Sequence, residues 1–102
     1  MKLEEIERLR QFFGAYFHQD WSLDAPDADG IIDRFIADAP DRATLASLAA
    51  LIDAFREGQR AEAQLERALH TELWCEFVPS AAGMRTSAWL QHVSRRLRNA
   101  TA

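Results

Sequence analysis

Through the opening of the chain the apolar side chains fall at Leu3, Ile6, Leu9, Phe13, Tyr16 and Phe17, three or four residues apart in nearly every step, which places them on one face of an amphipathic helix. Glu4, Glu5 and Glu7 occupy its first turns, where the positive end of the helix dipole favours carboxylates. Asp20, Ser22, Asp24 and Pro26 follow in quick succession, so the helix is expected to stop near His18. A second helix, with Asp27 or Asp29 as N-cap, buries Ile31, Ile32, Phe35 and Ile36 and ends at Ala39-Pro40. Asp41 caps a third, whose apolar stripe is Leu45, Leu48, Leu51, Ile52 and Phe55, with Gly58 at the stop position. A fourth runs from Ala61 to His70 around Leu65 and Leu69.

Residues 71–84, TELWCEFVPSAAGM, break the helical period. They read as an aromatic-rich extended segment, with Leu73, Trp74, Phe77 and Val78 laid over the core and Pro79 and Gly83 marking its end. Thr86 or Ser87 then caps a last helix that buries Trp89, Leu90, Val93 and Leu97. With no strand alternation and no internal repeat, the pattern predicts an all-α, single-domain bundle of about five helices over residues 1–102.

Composition adds limits to this picture. A hydrophobic fraction of 48% and a charged fraction of 27% suit a chain that folds rather than a disordered one. Neither a signal-type apolar region nor a membrane-length apolar run is present, so the expected compartment is the cytoplasm, with no membrane partner. Cys75, the single cysteine, reads as a core thiol. The net charge is −4, unevenly distributed: Asp20, Asp24, Asp27, Asp29, Asp33, Asp38 and Asp41 face one base, Arg34, between residues 20 and 41. Such a stretch favours a basic protein and repels nucleic acid. Asp27, Asp29 and Asp41 double as turn and cap formers, while Asp24, Asp33 and Asp38 remain for a surface that steers a partner.

Chemistry is harder to find. His18 and Asp20 are two potential metal ligands where three or four are needed, and His70 and His92 stand on other helices. His18 reads instead as an imidazole meeting the carbonyls at the end of the first helix. Glu62, Glu66 and His70 share one helical face that reads as solvated. Arg95, Arg96 and Arg98 read as a helix-end charge bias rather than a phosphate-binding cluster. No phosphate loop, metalloprotease signature or nucleophile elbow occurs, so an enzyme is not expected, nor is a cofactor or a metal.

The stretch Gly14-Ala15-Tyr16-Phe17-His18-Gln19-Asp20-Trp21, followed by an Asp-rich linker into an Ile-Ile-x-x-Phe helix, resembles the small helical immunity proteins of bacterial contact-dependent growth inhibition (CDI) systems. Ala50-Leu51-Ile52-Asp53-Ala54-Phe55 and Ala88-Trp89-Leu90 agree with it, so the resemblance spans essentially the whole chain. Leu73-Trp74-Cys75-Glu76-Phe77 departs from it, since members often carry glycine, cysteine and tyrosines there. The resemblance implies a non-enzymatic protein that binds and neutralises the C-terminal toxin domain, frequently a nuclease, of an exported effector. A nuclease carries basic surfaces, so the partner-binding candidates are Asp24, Asp27, Asp29, Asp33 and Asp38. Tyr16, Phe17, His18, Asp20, Trp21 and Trp89 are the expected structural motif, and the protein is expected to be a monomer or a partner in a 1:1 complex. The alternative is a helical regulatory or adaptor domain, homodimeric through apolar residues of segment 71–84.

Overall fold

The computed structural model describes residues 1–39, 41–58 and 61–101. It is all-helical, in the order α1 (Leu3–Tyr16), α2 (Trp21–Asp24), α3 (Ala28–Asp38), α4 (Arg42–Arg56), α5 (Glu62–Thr71) and α6 (Thr86–Asn99), with a short 3-10 turn (Pro79–Ala82) before α6. Five of these match the expected helices. The four-residue α2 was not predicted, because a single turn has too few positions to show a period.

Each start has a local cause. The carboxylates of Asp27 and Asp41 accept the N–H groups of Gly30 (2.8 Å) and Thr44 (2.7 Å), as expected of N-caps. At α1 and α5 the third helical residue reaches back instead: Glu5 accepts from the Lys2 N–H and Gln64 from the Ala61 N–H. The expected Thr86 or Ser87 cap of α6 is replaced. Arg85 is the capping residue, Thr86 is buried inside the first turn, and Glu62 of α5 supplies the carboxylate, accepting from the Ser87 N–H and hydroxyl. A sequence window cannot show a cap that comes from another helix. Ala39 ends α3 as its extended C-cap, whereas Pro40 lies outside the described residues.

The core centres on α4 and α6, the most extensively packed pair. Leu45, Leu48, Ala49, Ile52 and Phe55 of α4 meet Trp89, Leu90, Val93 and Leu97 of α6, all buried. Ala49 and Ser94 are small and buried in this seam, which lets the two backbones come close enough for the Ser94 hydroxyl to reach the Ala49 carbonyl at 3.5 Å. Helix α1 adds Leu9, Phe12 and Phe13, and α3 adds Ile31 and Ile32. Leu3 was expected on the inner stripe but is 68% exposed, because the core begins a turn and a half further along α1; Phe12 takes an inner place instead.

Glu72 and Leu73 form the turn that closes α5, Trp74 takes a left-handed backbone, and residues 75–78 continue without helix; burial alternates along the whole stretch. Leu73, Cys75 and Phe77 are buried, and Trp74, Glu76 and Val78 face outward. This corrects the expectation that Trp74 and Val78 lie over the core: with Leu73, Cys75 and Phe77 turned inward, the residues between and after them are turned out. Burial pushes the Cys75 thiol up to about 12, which fits its reading as a core residue.

Candidate functional site

The stretch from Tyr16 to Trp21 occupies the junction of α1, α2 and the extended segment. Phe17 closes α1, its N–H returning to the Phe13 carbonyl at 3.0 Å, and its ring is fully buried. Five aromatic rings surround it: Trp89 at 5.3 Å, Phe12 at 5.8 Å, Phe77 at 6.0 Å, Trp21 at 6.2 Å and Phe13 at 6.4 Å between centroids. Offset and edge-to-face contacts of this kind add to the plain burial of each ring. Tyr16 packs edge-on to Phe35 at 5.1 Å, and its hydroxyl donates to Asp38. Desolvation, and then the Asp38 carboxylate, raise the Tyr16 phenol above its ordinary range.

His18 does not cap carbonyls. Its Nδ1 accepts the Asp20 backbone N–H at 3.0 Å, which leaves the ring proton on Nε2 to meet Asp24 Oδ2 at 2.8 Å. The imidazole thereby ties the turn to the end of α2, and the contribution of Asp20 to that tie is its backbone.

Four of the five candidate aspartates fall on two flanks of α3, and Asp27 lies between them. On the α6 side, Asp29 meets His92 Nε2 at 2.7 Å and Arg96 at 3.5 Å, and Asp33 makes a two-pronged pair with Arg96 at 2.9 and 2.8 Å. That guanidinium holds the Asp33 carboxyl below the usual carboxylate range and is itself pushed up by it. On the α1 side, Asp38 holds Tyr16 and Asp24 holds His18, while Arg34 donates to the Asp24 carbonyl at 2.9 Å. Asp27 makes the N-cap bond expected of it, and the other four each have an intramolecular side-chain contact that the sequence left unassigned. The region remains negative: Asp20, Asp24, Asp27, Asp29, Asp33 and Asp38 stand against Arg34 and Arg96, a surplus of four negative charges. That equals the formal charge of the whole chain, −4, so the rest of the molecule is balanced.

The arginines at the end of α6 do more than suit its dipole. Arg96 bridges to α3 as above, and Arg98 pairs with Asp53 of α4 and reaches the Ser94 hydroxyl at 2.6 Å. The face of α5 that reads as solvated is a fastening strip instead. Glu62 holds the start of α6, Glu66 accepts from Ser80 of the 3-10 turn at 2.6 Å, and the His70 Nδ1–H donates to the Cys75 carbonyl at 2.7 Å. Among the described residues no group of three or more His, Cys, Asp and Glu is placed to hold a metal ion, and no helix is long and apolar enough to cross a membrane.

Two surface clefts adjoin this junction. Trp21, Phe77, Met84 and Trp89 line one, edged by Asp27, Asp29 and His92. The other lies along the outer face of α1, between Glu7, Arg10, Gln11 and Gly14 on one side and Trp74 on the other. Trp74 was missed as a functional candidate. Alternation from Leu73 to Val78 separates odd from even positions, but the packing of Phe77 on Phe17 and Trp89 is what decides which set is inside.

Neither a curated protein nor a solved structure matches this chain significantly. The model of the family described as CdiI immunity protein does, over residues 5–97, from the first turn of α1 to the last turn of α6. That span takes in the Phe17 junction, both acidic flanks and the Trp74 cleft, and the chain belongs to the CdiI immunity protein family.

Proposed function

We propose that this protein neutralises its cognate CDI toxin domain by binding it one to one and covering the surface the toxin needs, without chemistry of its own. Family membership over nearly the whole chain carries the reading. The acidic region of α2 and α3 supports its finer part. A surplus of four negative charges concentrated on one region fits a partner with a basic surface, as a nuclease has, and disfavours direct contact with nucleic acid. Asp24, Asp27, Asp29, Asp33 and Asp38 would act mainly by field, raising the association rate, because their carboxylates already have partners. The toxin acts inside the target cell, so the place of action is the cytoplasm.

The test is co-purification with the C-terminal domain of the exported protein encoded beside it. Toxin activity on RNA or DNA substrates should titrate to zero at one equivalent. Failure of the two purified proteins to associate at micromolar concentration would overturn the proposal, and concentration-dependent self-association in its place would point to the adaptor alternative.

A further inference from the structure

Trp74 combines three observations that conflict unless the ring has work outside the fold. Its backbone is left-handed, with φ at 62°, and it is the only described residue other than glycine with positive φ. That conformation disfavours every residue with a Cβ and is an outlier for a bulky one. It lies just beyond the end of α5, where a left-handed residue is ordinarily glycine and glycine would turn the chain without strain. Yet the position carries the largest side chain there is, and leaves it 55% exposed.

The ring is also held still. A Cβ on Gly14 would stand 3.2 Å from the Trp74 Cβ and 3.4 Å from Cε3, so the bare α1 backbone is what lets the indole lie down. From the same helix Arg10 places its guanidinium carbon 4.3 Å from the ring centroid, and its Nε donates to the Glu72 carbonyl at 2.7 Å. An exposed aromatic fixed in this way has already lost the side-chain freedom that binding would otherwise remove.

Its surroundings indicate the partner. Glu7 lines the same cleft, and Glu76 faces outward two residues along the extended edge. The Glu76 N–H donates to the Phe17 carbonyl at 2.8 Å, and the next residue, His18, holds Asp24. The Trp74 edge is thus joined through Phe17 and His18 to the flank that carries Asp24, with Glu7 and Glu76 adding negative charge beside the Arg10 guanidinium on the ring. We infer that Trp74 is the anchor of the toxin interface: the indole enters an apolar recess on the toxin domain, and the acidic flank beside it meets the basic surface around that recess. This rests on the toxin-binding reading above and adds to it the residue that sets the lifetime of the complex.

The experiment measures binding of a catalytically disabled toxin domain, the one encoded beside this chain, by biolayer interferometry. Trp74→Gly removes the ring and relieves the left-handed backbone; it should retain the helical circular dichroism and weaken binding by about 30-fold or more, chiefly through faster dissociation. Gly14→Ala leaves Trp74 in the chain, favours the α1 helix, and displaces the ring by its new Cβ; it should weaken binding several-fold. It also decides the matter if Trp74→Gly does not fold. Wild-type binding with both folded variants within about threefold of it overturns the anchor while leaving the immunity reading intact. Absence of wild-type binding overturns both. A wild-type dimer that Trp74→Gly dissociates, with toxin affinity unchanged, assigns the ring to self-association and overturns the anchor as well.

Discussion

Replacing Phe17 by alanine is the sharpest test of whether the Tyr16–Trp21 stretch is a structural joint. The ring is 0% exposed and has five aromatic neighbours with centroids 5.3 to 6.4 Å away, contributed by α1, α2, the extended segment and α6. Deleting it removes the transfer free energy of a buried phenyl group and leaves a cavity between elements that cannot all collapse inward together. A fully buried Phe→Ala change costs about 3–5 kcal/mol. Against a total stability of about 5–15 kcal/mol for a domain of this size, that is a large share, equivalent to a fall in melting temperature of roughly 15 °C or more. Urea titration followed by circular dichroism should show the midpoint falling with the slope unchanged. The folded fraction should still bind the toxin domain with near wild-type affinity, because no atom of Phe17 reaches the surface. A loss of stability below about 1 kcal/mol, or a binding defect in folded protein, would refute the joint. His18→Ala, on a side chain 40% exposed, should cost less than about 1 kcal/mol in the same titration.

Three further outcomes follow from the same geometry. Glu62, whose carboxyl is lowered first by its Ser87 hydrogen bond, contributes stability that is present above its unfolded value near 4.5 and lost as pH falls through the lower folded value. Glu62→Gln should therefore flatten the acid limb of a stability-versus-pH curve below about pH 5, and an unaltered limb would exclude Glu62 as a titrating cap. Cys75, buried and pushed up to about 12, should resist iodoacetamide at pH 8 in native protein and react on unfolding; rapid native labelling would contradict its placement. Exchanging Asp24, Asp29, Asp33 and Asp38 for Lys should slow toxin association at low salt and less so at high salt, with circular dichroism confirming the fold because Arg96 and Tyr16 lose their partners. An unchanged on-rate at low salt would move the docking face elsewhere.

The polar contacts divide the surface into parts that hold the fold and parts left for a partner. Arg96, Arg98 and the α5 strip of Glu62, Glu66 and His70 are spent on joining helices, although by sequence each resembles an ordinary charged face. Trp74 is the reverse: by composition it belongs in the core, yet it stands outside on a strained backbone.

The local sequence by itself determined the five long helices, the Asp41 cap, the choice of Asp27 or Asp29 at the start of α3 and most of the core, because a helix face and an N-cap are set by residues within a few positions of one another. The quoted stretch from Gly14 to Trp21 likewise pointed to the family that the chain belongs to. The tertiary structure alone decided the rest. Which carboxylate caps α6, which aspartates meet Arg96 and which side of the extended segment faces water depend on neighbours that include pairs 25 and 63 residues apart. Such contacts exist only once the helices have packed, and a local pattern carries no record of them.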